Sequence, residues 1–284
     1  MNKQNKGLFI VCTGVTLMSL DAVFVRLSGL GGFSPSFLFG MFSFISMGLL
    51  TKIKDGGFIP TLKKAGIIGI ISGMIMGVSG TSFVLAVQHT SVANVLLIMS
   101  LSPFCSAIYS YILLKEHTDT VTKVTMVISF LGMLIIVQGS LQSGIVGNLI
   151  AIIATLSSSL NYVVWRRYPH ISRTLVISLG GFFIALFSSP FAETSSIDLH
   201  GLIIIAVMGL LTAPIGRTLV ATSARYITAT EISLIGRLNV IIAPFIVWLL
   251  FNEVPISSTF IGGTIILTAV VFHSYLKIRS AKTY

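Results

Sequence analysis

Residues 19–26 read S-L-D-A-V-F-V-R, and the same figure returns 140 residues later as S-L-N-Y-V-V-W-R at 159–166. The match sets Asn161 against Asp21 and Arg166 against Arg26. A second pair follows at an offset of 137: Q-H-T-S-V-A at 88–93 against R-Y-I-T-A-T at 225–230, leading to L-L-K-E at 113–116 and L-F-N-E at 250–253. Two such similar offsets along one chain mark an internal duplication.

Both copies lie in a strongly apolar background. Of the 284 residues, 54% are hydrophobic and only 9% are Asp, Glu, Lys or Arg, against about a quarter charged in an ordinary soluble domain; the mean hydropathy is +0.99. Such a chain cannot clothe itself in a water-facing shell. Its longest polar connection runs only from Lys52 to Lys64, which leaves no room for a fused ATPase, kinase or receptor module.

Crossing a hydrocarbon core takes roughly 20 helical residues. Spans are expected at 8–29, 33–51, 65–87, 91–114, 121–140, 144–164, 171–190, 201–223, 227–250 and 256–276. The expected fold is an all-α integral membrane protein with ten transmembrane helices in two five-helix repeats, residues 7–140 and 144–279. Five is odd, so the second repeat enters the membrane in the opposite direction from the first. Inverted repeats are a hallmark of secondary transporters, where rocking about an in-plane axis exposes one site to either side.

The net charge of +10 is distributed by topology. With a cytoplasmic N-terminus, fifteen of the eighteen basic residues fall at cytoplasmic ends and loops; the others, Arg26, Arg217 and Arg237, lie inside spans. The outer loops carry Glu193, Asp198 and Glu253 and no Lys or Arg, the asymmetry of positive-inside insertion. A multi-pass protein of the cell (inner) membrane with both termini cytoplasmic is therefore expected. Lys3 and Lys6 precede an apolar run too long for a signal peptide and lacking an A-x-A cleavage pattern, so that run is expected to persist as the first span. Cys12 and Cys105 both sit in apolar runs and read as packing residues.

Charges inside spans locate the chemistry. At ~1.5 Å rise per residue, Asp21 lies about 4 Å to the outer side of the midplane, while Arg237, Arg217 and Glu231 lie about 3, 7 and 12 Å to the inner side. Facing lipid, Asp21, Arg217 and Arg237 together would cost about 10 kcal/mol, so partners or a wet cavity must receive them. Asp21 and Arg237 are the expected substrate contacts, one from each half and nearest the midplane; a zwitterion placing its ammonium on Asp21 and its carboxylate on Arg237 fits that spacing. Asn239, Asn161 and Asn94 are further polar candidates, or interhelical hydrogen-bond partners. Arg217 and Glu231, close in depth on consecutive spans, are expected to form an ion pair or gate. Asp21 is also a candidate proton carrier, with protons as one possible coupling ion. The five histidines lie at span ends or in loops, so neither a metal nor a histidine relay is expected.

Structural roles are expected elsewhere. Gly69, Gly73 and Gly77 form an i, i+4, i+8 stripe on the third span along which another helix can approach. Pro214 in the eighth span, at A-P-I-G-R 213–217, frees a carbonyl and is expected to kink the helix beside Arg217. The phenylalanines of the second and seventh spans read as core or lipid-facing residues.

The glutamates closing the fourth and ninth spans, Lys115-Glu116 and Asn252-Glu253, and the stretch N-E-V-P-I-S-S-T-F-I-G-G-T-I-I-L-T-A-V-V at 252–271 resemble the EamA-type branch of the drug/metabolite transporter superfamily. That resemblance covers nearly the whole chain. It implies structural roles for Glu116 and Glu253, a mid-helix proline at Pro103, its counterpart displaced by one turn to Pro244, and transport of small organic metabolites.

A secondary transporter of such metabolites, with amino-acid-like zwitterions favoured, is the reading these features give. Carriers of vitamins, nucleotide-like metabolites or cationic drugs stay open. An integral membrane enzyme would need a convergent nucleophile, base or metal set, and no H-E-x-x-H or G-x-S-x-G occurs; a channel is the remaining alternative. No cofactor and no nucleic acid is expected. The partners are a small-molecule substrate and the bilayer, and the protein is expected as a monomer or weak homodimer.

Overall fold

The computed structural model describes residues 3–89, 95, 98–99, 101–137, 145–193, 197–239, 242, 246, 249 and 257–280. All regular structure among them is helical: α1 (Lys3–Ser19), α2 (Asp21–Ser28), α3 (Ser34–Lys54), α4 (Phe58–His89), α5 (Ser102–Leu114), α6 (Thr120–Val137), α7 (Ile145–Arg167), α8 (Arg173–Ser188), α9 (Leu199–Val207), α10 (Ala213–Ser223), α11 (Ala229–Ile235) and α12 (Ser257–Ser280). Six helical stretches are long and apolar enough to cross a membrane, and Ser102–Leu114, Thr120–Gly132 and Thr264–His273 are shorter apolar helices. Each expected span thus meets helix among the described residues.

Local chemistry explains several boundaries. Pro35 opens α3 from its first turn, where its missing N–H leaves no bond unmade. Gly66, with φ 57°, breaks α4 after a short leading helix, so the membrane-crossing part begins close to the expected residue 65. Pro103 lies in the first turn of α5, directly after a turn at Leu101 that follows helical Ile98 and Met99, so it stands at a break within the expected fourth span.

In lipid, apolar faces gain nothing by turning inward, so close backbone approach has to hold the helices together. Glycines supply it. A Cβ on Gly14 would come within 2.8 Å of the Gly216 carbonyl, and one on Gly40 within 2.7 Å of the Gly181 carbonyl. The stripe on α4 behaves as expected: Gly73 faces Leu179, Gly77 faces Phe183, and Gly69 lies more loosely against Leu175. All three partners belong to α8, the most buried of the six membrane-length stretches.

Around α8 the contacts are ordered. It packs on α3 and α4; α4 also packs on α7, α1 on α10, α5 on α7 and α11, and α6 on α12. The outer pair α6 and α12 meets at Gly132 and Ile266 and exposes Val127, Leu131, Leu267 and Phe272 outward. His273, near the end of the last expected span, is fully buried in α12 and pairs its Nε2 with Thr122 Oγ1 at 3.0 Å.

Gly40→Ala is expected to destabilise the protein by roughly 1–3 kcal/mol through overpacking, read as a lowered thermal midpoint of the purified protein in detergent. Gly31→Ala, where an added Cβ meets nothing within 4 Å, should leave that midpoint in place.

Candidate functional site

The first expected span is not one continuous helix. Ser19 Oγ bonds back to the Val15 carbonyl at 2.9 Å, a local bond that competes with the helix ladder. Leu20 N–H reaches only to Leu17 O, at 3.2 Å, and α2 then starts at Asp21. The carboxylate therefore occupies the first turn of a helix, where exposed N–H groups and the helix dipole favour negative charge. Its Oδ1 is buried with no hydrogen-bond partner among the described residues.

Arg217 comes from the opposite element. The chain between α9 and α10 forms a π-helical turn, Met208–Thr212, and Pro214 stands in the first turn of α10, so the expected kink is realised as a π segment that resumes as α-helix at the proline. Three residues on, the Arg217 guanidinium sits 4.3 Å from the centroid of the Phe39 ring, a cation–π contact. Its Nη2 lies 3.7 Å from Asp21 Oδ2, an ion pair too long for a direct hydrogen bond.

Depth along the membrane normal had separated Asp21 and Arg217 by about 11 Å. Gly7 faces Tyr226 while Gly14 faces Gly216, so α1 and α10 run antiparallel. A helical side chain leans toward its own N-terminus, and for Arg217 that direction leads to Asp21. Both side chains are 20% exposed, so the pair is mostly enclosed by the surrounding helices.

The partner expected for Arg217 is occupied elsewhere. Glu231 folds back onto its own helix: Oε2 accepts from Thr228 N at 2.8 Å and from Thr228 Oγ1 at 2.9 Å, and Thr228 Oγ1 accepts from Glu231 N. This capping box was legible as T-x-x-E ahead of an apolar run. Arg237 falls in a 3₁₀ turn, Gly236–Leu238, with its side chain outside the described residues. Asn94, Pro244 and Glu253 also lie outside them.

The remaining polar candidates are buried. Asn161 accepts from Ser72 Oγ at 2.6 Å, and Ser72 Oγ in turn accepts from Trp165 Nε1 at 3.1 Å. Asn239 Oδ1 is buried without a partner among the described residues. Glu116 pairs through Oε1 with Arg166 Nε at 3.1 Å. Sequence reasoning read Phe39 first as core or lipid-facing and second as part of an aromatic pocket, and missed its contact with Arg217; the signal was that an intramembrane arginine needs a face to lie on.

If the Asp21–Arg217 pair holds this region together, Asp21→Asn and Arg217→Gln should each destabilise by about 1–3 kcal/mol, below the fully buried case because the pair is partly exposed and its contact is long. The double variant should lose less than the sum of the singles, measured as a thermal double-mutant cycle.

Comparison with known proteins agrees with this architecture. The EamA-like transporter family matches the chain twice, over residues 5–138 and 145–275. The chain is 26% identical over 271 residues to uncharacterized transporter YdfC of Bacillus subtilis (strain 168), covering 89% of this chain and 85% of that protein. It is 24% identical over 290 residues to uncharacterized transporter YyaM of the same strain, covering 94% and 93% respectively. A protein of known crystal structure shares the fold with a TM-score of 0.81 at 14% identity, over 96% of this chain and 98% of that one. A multi-pass helical protein matched by this family over both halves belongs to the EamA-like transporter family.

Proposed function

We propose that this membrane transporter carries small organic metabolites, amino-acid-like zwitterions foremost, by alternating access between two inverted five-helix repeats. The observation that carries the reading is the Asp21–Arg217 pair. It is partly exposed, stands at a helix break, and leaves one carboxylate oxygen buried and unmatched among the described residues. A substrate ammonium on Asp21 Oδ1 and a substrate carboxylate on the outer edge of the Arg217 guanidinium would each gain a charge-assisted hydrogen bond that the resting pair lacks. Arg237, Asn239, Asn161 and Asn94 are the further contacts this reading assigns.

Inverted symmetry is supported by the register of the contacts. The offset of 140 carries Gly14 to Ala154, and the offset of 137 carries Ser79 to Gly216. Gly14 abuts Gly216, and Ser79 Oγ bonds to the Ala154 carbonyl at 3.1 Å. One contact is the image of the other with the halves exchanged. In the same way α1 on α10 mirrors α7 on α4, and the α3–α8, α5–α11 and α6–α12 contacts map onto themselves. Under that operation Asp21 falls on Asn161, so a charged station in one half corresponds to a neutral Asn161–Ser72 station in the other, which supports the reading of one site shared between two rocking units. The ten spans, with both termini in the cytoplasm, follow from the same symmetry and the basic-residue asymmetry.

Proteoliposomes loaded with an unlabelled amino-acid mixture should take up a radiolabelled member of it by saturable counterflow. Asp21→Asn and Arg217→Gln should each lower the initial rate by about tenfold or more, the scale of a lost charged hydrogen bond. Uptake that is linear in concentration without counterflow would indicate a channel. Full affinity in both variants would remove the site assignment.

A further inference from the structure

At the end of the bundle where the basic residues gather, a single side chain ties three segments together. Arg166, in the last turn of α7, holds Glu116 Oε1 with its Nε at 3.1 Å. Its Nη1 donates to the Ala224 carbonyl at 3.4 Å, at the C-terminal cap of α10. The neighbouring Arg167 donates from Nη1 to the Leu113 carbonyl at 3.2 Å. The ends of α5, α7 and α10 are thereby held to one another on one face, while their middles are separate helices around the candidate site.

Two features set this apart from a permanent brace. The ion pair is wet, with side chains 27% and 32% exposed, so parting it strands no charge in lipid and the net attraction is small. Glu116 is also delivered by a strained turn: Lys115 has φ 59° and ψ 22°, and it is the one non-glycine residue with positive φ among the described residues. Left-handed backbone is unfavourable for a residue with a Cβ. Here it is held by bonds from Lys115 N to Tyr111 O at 3.2 Å and from Glu116 N to Ser110 O at 3.3 Å. A weak attraction set against local strain gives two arrangements of similar free energy, which is what a moving closure requires.

We propose that Arg166, Glu116 and the Ala224 carbonyl form the latch of the cytoplasmic gate, closed in this structure and parting when the central site opens to the cytoplasm, with Lys115 supplying the strain that favours release. The proposal rests on the alternating-access reading above, and it concerns residues remote from the Asp21–Arg217 site.

A buried reporter tests it. Ser233 is fully buried and its Oγ lies 2.6 Å from Ser106 Oγ, between α11 and α5. In a Cys12→Ser, Cys105→Ser background, Ser233→Cys is labelled from the cytoplasmic side of inside-out vesicles with a membrane-impermeant maleimide. Glu116→Gln and Arg166→Gln should each speed labelling roughly two- to fivefold, the scale of a partly exposed pair. The exchange Glu116→Arg with Arg166→Glu should return it to the starting rate. Lys115→Gly, which relieves the left-handed turn without touching the pair, should slow labelling about fivefold and needs no disrupted fold to be informative. Unchanged labelling in Glu116→Gln and Lys115→Gly alike, in protein that still shows counterflow, overturns the latch and leaves the transport reading intact. Absent counterflow in wild type, with labelling still responding to the latch variants, sinks the transport reading and leaves the movable closure standing.

Discussion

Helices in a bilayer cannot use the force that assembles soluble bundles, because a leucine facing lipid is as well placed as one facing another helix. What is left is contact distance. Gly14 on Gly216 and Gly40 on Gly181 bring backbones together where any side chain would hold them apart, and the stripe on α4 seats α8 by the same means. Every later property depends on those approaches. They fix the register between the halves, and that register decides which polar groups can meet.

Given that frame, ionisable groups inside the membrane had few places to go. Asp21 stands where a helix restarts, Arg217 lies across Phe39, and the two face each other between α2 and α10. The duplicated position carries Asn161, whose needs are met by Ser72 within a neutral chain ending at Trp165. The two equivalent positions therefore differ in charge, one ionic and one neutral.

Much of this was readable in the chain. Apolar length gave the spans, the two offsets gave the repeat, and the i, i+4, i+8 glycines gave the α4 seam, because each depends only on spacing. The partner of Arg217 was not readable from depth, which ignores the lean of a side chain toward its helix N-terminus; that lean carries Arg217 away from Glu231 and toward Asp21. Glu231 itself was legible as a capping residue, and its charge drew attention from its place three residues after Thr228. The left-handed Lys115 carries no sequence signature, since nothing about a lysine announces positive φ.

The π-helical turn at Met208–Thr212 has an evolutionary side. Such a turn holds one residue more than the α-helix it interrupts, so it takes up a single extra residue without rotating the helix on either side. A lineage that deleted one codon there could close the turn to α-helix and keep its arginine on the face that meets the aspartate, whereas the same deletion between the turn and Arg217 would swing that arginine by about 100°.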